Sequence, residues 1–248
     1  MTLEQFFQEN KEVAIAFSGG VDSAYLLYAA KRWAKKVCAY YVKSAFQPQF
    51  EFEDAKRLAE QLGAEMRVLT PDILACSEVT ENPKNRCYFC KRVIFEGIRK
   101  AAAEDGFTVL LDGTNASDDA ADRPGMRALT ELSVRSPLRE CGLTKTMIRT
   151  LSKEAGLFTW DKPAYACLAT RIPSGEVITA EKLTAVEASE GALFSLGFTD
   201  FRVRSIGKTA KLQVRKDEVD KLLEKREEVV SELKKYYDTI VLDLETMR

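Results

Sequence analysis

The apolar positions of the first 160 or so residues form an alternating series of short continuous runs and longer periodic stretches. Val13-Ala14-Ile15-Ala16-Phe17 is an unbroken apolar run, the pattern of a strand covered on both faces. Residues 22–35 carry Tyr25, Leu26, Ala29, Ala30 and Trp33 at helical spacing. The same reasoning predicts strands at 37–42, 65–69 and 108–111. It predicts helices at 52–62, 90–103 and 144–155, with Gly63 and Gly156 closing the first and last. Repeated strand–helix units imply an α/β fold with a parallel sheet covered by helices on both faces. Residues 112–128, DGTNASDDAADRPGMRA, interrupt the series: they are polar and lack periodicity. A loop of that length inside a compact domain is usually functional, and one that follows a parallel strand emerges at the carboxyl edge, where open α/β sheets bind ligands.

After Pro163 the pattern changes. Residues 179–196 read as a helix, 201–205 and 210–214 as strands, 216–236 as one long charged helix, and 239–244 as a strand. This α-β-β-α-β order predicts a smaller C-terminal α+β domain. The expected division is 1–165 and 166–248, with the joint somewhere in 157–178.

Charge and composition narrow the partners. Lys plus Arg total 37 against 38 for Asp plus Glu, so bulk charge does not hold this chain on nucleic acid. Histidine is absent, which excludes Ser-His-Asp and Cys-His catalysis, histidine-ligated zinc and imidazole acid–base chemistry. The longest apolar runs, such as 107–111, fall far short of the roughly 18 residues of a membrane span. The N-terminal MTLEQFFQENKE has no apolar signal core, so a cytoplasmic location without membrane contact is expected. In that setting the six cysteines (Cys38, Cys76, Cys87, Cys90, Cys141 and Cys167) are thiols, metal ligands or catalytic groups rather than a disulfide framework.

The most informative segment is Ser18-Gly19-Gly20-Val21-Asp22-Ser23, directly after the first strand and opening a helix. Free backbone N–H groups and the positive helix end point at whatever fills such a turn, which suits an anion. Two glycines let the backbone approach a phosphate closely, and Ser18 and Ser23 add hydroxyls. Asp22 is intelligible there if Mg²⁺ accompanies the phosphate. This is not a Walker loop, since no Gly-Lys-Ser/Thr follows. The Gly207-Lys208-Thr209 triplet is a chance match, with Arg202 where a Walker glycine would stand.

Cys87-Tyr88-Phe89-Cys90 is a Cys-x-x-Cys pair able to clamp a soft metal from one turn, and Cys167 in Ala164-Tyr165-Ala166-Cys167-Leu168-Ala169-Thr170-Arg171 offers a third sulfur. Three thiolates leave one position open, as a sulfur-carrying [4Fe-4S] cluster requires. A zinc knob completed by Cys76 or Cys141, or simple buried thiols, fits the spacing as well. Cys38, within a strand, reads as a small core residue. Phe201-Arg202-Val203-Arg204 places two guanidinium groups on one strand face, suited to a phosphate or carboxylate, with Thr170 and Arg171 as further members. An exposed charged face explains the same pattern, and Glu190 is ambiguous in the same way.

The SGG-x-DS turn resembles the pyrophosphate-holding loop of the PP-loop ATP pyrophosphatases. Together with NRCYFCKR, LDGTNASDDAADRPG, VRSPLRECGLTKTMIRTLSKEAGL, ACLATRIPSG and FRVR, nearly the whole chain resembles the LarE-type ATP-dependent sulfur transferases. The loop with Asp118, Arg123, Pro124 and Gly125 and the Cys167 segment are the more specific parts. The resemblance implies a parallel-sheet PP-loop domain. It also implies that ATP and Mg²⁺ are used to adenylate a carboxylate of pyridinium-3,5-biscarboxylic acid mononucleotide. Sulfur then replaces oxygen, giving a thiocarboxylate of the nickel-pincer nucleotide cofactor.

By the same resemblance Ser18, Gly19, Gly20, Val21, Asp22 and Ser23 hold pyrophosphate, and the loop starting at Asp112-Gly113 closes over the nucleotide. Cys167 is the sulfur centre. It acts either as a sacrificial donor that becomes dehydroalanine or together with Cys87 and Cys90 on a [4Fe-4S] cluster. Arg202, Arg204, Thr170 and Arg171 bind substrate phosphate, Glu190 lines the substrate site, and the assembly is a homo-oligomer, a hexamer built from trimers. The sulfur donor carries no signature in the chain. The competing expectations are another PP-loop enzyme, such as a tRNA thiolase, and a noncatalytic nucleotide-binding or sulfur-relay protein. A tRNA enzyme calls for a strongly basic face or an added RNA-binding module, and neither is visible.

Overall fold

Four parallel strands organise the first part of the molecule: β1 (Glu12–Ala16), β2 (Lys36–Val42), β3 (Glu65–Leu69) and β4 (Leu110–Leu111). Their order is β3-β2-β1-β4, and the register pairs Ala14 with both Cys38 and Leu110. β1 therefore lies inside the sheet and is covered on both sides. Val13 and Ile15 pack into one core with the helix Val21–Trp33, while Ala14 joins Cys38 and Tyr40 in a second core with the helix Arg86–Glu104. That two-sided cover is why the run is continuously apolar rather than alternating. Each fully buried Leu or Ile of these cores, such as Leu26, Leu27 and Ile15, contributes roughly 1.5–3 kcal/mol. Cys38 is 2% exposed, and burial pushes its thiol pKa up, in keeping with a packing residue.

This computed structural model describes residues 1–118 and 124–245. The chain divides into two units, Met1–Ile73 with Asn85–Tyr165, and Leu74–Lys84 with Ala166–Arg248. The expected boundary near residue 165 has a counterpart, but residues 74–84 belong with the second unit. Their attachment is specific. The Asn82 amide donates to the carbonyls of Pro173 (2.7 Å) and Glu176 (3.2 Å), and the Gly175 and Ile178 N–H groups donate back to Asn82 and Thr80 carbonyls. Buried polar groups that find partners only in a distant segment tie that segment to the fold, and periodicity carries no such signal.

The second unit has its own sheet. β5 (Phe201–Ile206) and β6 (Thr209–Val214) form a hairpin, and β7 (Thr239–Leu242) adds to β6 in parallel. Phe201, Val203, Ala210, Leu212 and Val214 face a core with Leu193, Leu222, Val229 and Leu233. Arg202 and Arg204 take the alternate positions of β5, as the strand period of two requires.

Two expectations are corrected. The helix predicted at 216–236 is a 3-10 turn at Lys216–Glu218 followed by helices Val219–Glu224 and Arg226–Leu233, which meet at Lys225 (φ −91°, ψ 15°). No Gly or Pro marks the break. Packing of Leu222 on one segment and Val229 and Leu233 on the other sets it. Within the stretch read as aperiodic, Pro124–Glu131 is helical, and proline is favoured at a first helical position.

Candidate functional site

The turn between β1 and the helix Val21–Trp33 is built by its two serines. Ser18 and Ser23 hydroxyls lie 3.1 Å apart, the Ser18 N–H donates to Ser23 Oγ (3.2 Å), and Ser23 Oγ donates to the Gly20 carbonyl (3.2 Å). The hydroxyls thus brace the loop from within. Gly19 has φ +75°, and a Cβ there would come within 3.0 Å of Ala55, so only glycine fits. Gly20, the N-cap, provides no side-chain cap, which leaves the first turn of the helix presenting its N–H groups to the turn, as anion sites do.

Two further segments converge on this turn, the loop after β4 and the start of a later helix. Gly113, just past β4, lies so close that a Cβ would meet the Ser23 backbone nitrogen at 3.0 Å. Asp112 accepts from the hydroxyls of Ser136 (2.6 Å) and Thr114, which fixes the exit of the loop. Asn115 reaches back to Asp22 Oδ1 (3.3 Å), and its own N–H is held by Asp118 (3.0 Å). The start of the helix Lys145–Glu154 supplies Lys145, whose ammonium lies 2.6 Å from Asp22 Oδ2.

Two cavities are lined in part by this turn. The larger, about 500 Å³, is lined by Ser18, Gly20, Asp22, Ser23, Cys87, Lys91, Asp112, Gly113, Thr114 and Asp118 among others. That volume suits a nucleotide. The smaller, about 220 Å³, shares Ser18, Gly20 and Asp22 and adds three cations, Lys145, Arg149 and Lys162. Arg149 is anchored on the Trp160 (2.6 Å) and Lys162 (3.0 Å) carbonyls. Lys162 bridges Glu51 (3.0 Å) and Asp54 (2.8 Å). Burial raises the Glu51 carboxyl pKa, and Lys162 pulls in the opposite direction. Sequence reasoning missed Lys91, Lys145, Arg149 and Lys162. Lysines and arginines on helical surfaces look alike until the sheet gathers them at one edge. The carboxylate, the glycine cradle and the surrounding cations fit a magnesium–triphosphate. Arg123 lies outside the described residues.

Cys87 and Cys90 stand on the first turn of the helix Arg86–Glu104, with Cys87 exposed and lining the larger cavity. Cys167 caps a 3-10 turn, Leu168–Arg171, in the second unit. Among the described residues no group of three or more Cys, Asp or Glu side chains that could hold a metal ion is found. The Cys-x-x-Cys spacing provides two ligands from one helical face.

In the second unit, Arg171 and Glu190, expected as substrate ligands, direct their charges at each other. Their side chains are 1% and 2% exposed, with Nε to Oε1 at 2.7 Å and Nη2 to Oε2 at 3.2 Å. Glu190 also accepts the Val203 N–H (2.9 Å), and Arg171 donates to Thr170 Oγ1 (2.8 Å) and the Ala166 carbonyl (3.3 Å). This buried pair therefore holds the turn that carries Cys167. Arg204 donates to the Thr170 carbonyl and to Gln213 (2.8 Å). Burial, with Arg171 and Arg202 nearby, holds its guanidinium below the ordinary arginine value. Arg202 bonds Asp200 (3.3 Å) on the same strand face.

A sequence profile described as a PP-loop domain matches residues 1–131. The pyridinium-3,5-bisthiocarboxylic acid mononucleotide synthase of Lactiplantibacillus plantarum is 34% identical over 215 residues, 86% of this chain and 78% of that protein. The chain belongs to the LarE-type PP-loop family. Two further relatives are described only as uncharacterized proteins. One from Synechocystis sp. is 36% identical over 224 residues, 90% of this chain and 83% of its own length. One from Methanocaldococcus jannaschii is 28% identical over 241 residues, 97% and 92%. Among the described residues no helix of this family member is long and apolar enough to cross a membrane.

Proposed function

We propose that this chain is an ATP-dependent sulfur transferase that adenylates a carboxylate of pyridinium-3,5-biscarboxylic acid mononucleotide and converts it to a thiocarboxylate. The observation that carries the reading is the uncapped helix start at Ser18 to Ser23, facing a cavity of nucleotide size with Asp22 at its centre. A carboxylate resists nucleophiles because it is already anionic. Attack of its oxygen on the α-phosphorus of MgATP breaks the α–β bond, releases pyrophosphate and leaves a mixed anhydride with AMP as leaving group. The helix N–H groups and the cations of the smaller cavity stabilise the charge that moves onto pyrophosphate, and Asp22 meets the magnesium that enters with ATP.

Cys167, deprotonated to solvent, then attacks the activated carbon and AMP departs. Loss of the Cys167 Cα proton to solvent with cleavage of its Cβ–Sγ bond would then leave the sulfur on the substrate as a thiocarboxylate and dehydroalanine in the chain. This sequence needs no histidine. Arg202 and Arg204 are suited to the substrate phosphate, and Arg171 with Glu190 to holding the Cys167 turn.

The finer reading, in which Cys87, Cys90 and Cys167 share a [4Fe-4S] cluster, is supported by the Cys-x-x-Cys pair on one helical face, with Cys87 in the cavity wall. Iron and sulfide analysis of anaerobically purified protein tests it. A homo-oligomeric assembly, a hexamer by family likeness, is tested by light scattering. The function itself is tested by pyrophosphate release with ATP and the dicarboxylate nucleotide. Asp22→Ala is expected to abolish release while retaining the fold, and a retained rate refutes the assignment.

A further inference from the structure

Lys145 occupies an unfavourable place for a cation. It is the first residue of the helix Lys145–Glu154, where the helix dipole is positive and a carboxylate would be preferred. Its position is nevertheless firmly set. Its backbone N–H donates to Ser117 Oγ (3.0 Å), and the Ala116 N–H donates to the Leu143 carbonyl (2.8 Å), so the helix start is tied to the loop after β4. The side chain runs from there to Asp22, with the two charges 2.6 Å apart. Asp22 is the carboxylate of the phosphate turn, and Asn115 already holds its other oxygen. The ammonium therefore sits on the oxygen that faces away from Asn115. It lines the same cavity as Arg149 and Lys162, whose charges are anchored on carbonyls and on Glu51 and Asp54.

We infer that Lys145 is an internal counter-ion that exchanges with magnesium. In the empty site its ammonium neutralises Asp22 and competes with free divalent cation. When MgATP enters, the divalent ion takes the Asp22 oxygen and the released ammonium joins Arg149 and Lys162 against the triphosphate. Two cationic charges exchange places on one carboxylate, and no bond is made or broken in the protein. The device keeps Asp22 from repelling an incoming phosphate and makes metal binding depend on nucleotide. The inference rests on the nucleotide reading of the site.

The test compares wild type, Lys145→Met and Lys145→Arg for two probes. One is free Mn²⁺ without nucleotide, followed by electron paramagnetic resonance. The other is an ATP analogue with a methylene α–β bridge in excess Mg²⁺, followed by calorimetry. Lys145→Met is expected to bind free Mn²⁺ about three- to tenfold more tightly and the analogue about tenfold more weakly. Lys145→Arg should stay near wild type for Mn²⁺. Adding Asp22→Asn to Lys145→Met should erase the gain in Mn²⁺ affinity. A merely structural role for Lys145 would weaken both ligands together. Unchanged or weaker Mn²⁺ binding by Lys145→Met, or unchanged analogue binding, overturns the exchange. Failure of the wild-type protein to bind the analogue overturns the nucleotide reading and the exchange with it.

Discussion

Arg171→Met would remove the guanidinium that faces the buried Glu190 carboxylate, and with it the donor to the Ala166 carbonyl and Thr170 hydroxyl. Both side chains are almost fully buried, so solvent cannot replace the lost partner. Breaking a buried pair in this way costs about 3–5 kcal/mol, a large part of the roughly 5–15 kcal/mol that stabilises a domain.

Adding Glu190→Gln keeps an acceptor for Val203 and removes the charge. The double variant should recover about 1–3 kcal/mol at pH 7. Both tryptophans, Trp33 and Trp160, lie in the first unit, so fluorescence reports there. Urea unfolding by circular dichroism with hydrogen exchange of peptides covering 166–172 and 200–214 reports on the second. A loss below about 1 kcal/mol for Arg171→Met, or a double variant no better than the single, would refute the account of a charge-compensated pair under the Cys167 turn.

Gly113→Ala pushes a methyl to 3.0 Å from the Ser23 nitrogen, so pyrophosphate release should fall at least about tenfold through displacement of the turn, whereas Gly97→Ala, with open space around it, should be silent. Cys167→Ala should abolish thiocarboxylate formation while pyrophosphate release persists, and Cys38→Ala should cost about 1–2 kcal/mol of stability without touching the chemistry; intact-mass and product analysis separate the two. The Tyr40 hydroxyl and then Arg67 hold the Asp105 carboxyl below its ordinary value, so Asp105 stabilises the fold above its unfolded value, about pH 3.9, and that contribution is lost as pH falls through its lower folded value. The stability difference between wild type and Asp105→Asn should therefore be present from pH 5 to 8 and close below about pH 4 in acid-denaturation curves.

Much of the fold was already legible in the residues, because its signals are local. A strand buried on both faces must be apolar throughout, which marked β1, and a helix that begins after Ser-Gly-Gly with no side-chain cap must present N–H groups, which marked the phosphate turn. The alternation of Phe201, Arg202, Val203 and Arg204 set which β5 side chains face the core. Features that depend on groups far apart in the chain came only with tertiary structure. Lys145 meets Asp22 across 123 residues, and Lys162 meets Glu51 across 111. Neither spacing leaves a periodic trace, since side-chain period records which face is buried and not which charge waits on the other side. Arg171 and Glu190 show the same limit. As letters they left a ligand and a plain charged face equally open, and in the fold they are buried against each other, because a charge withdrawn from water must find its opposite inside the fold.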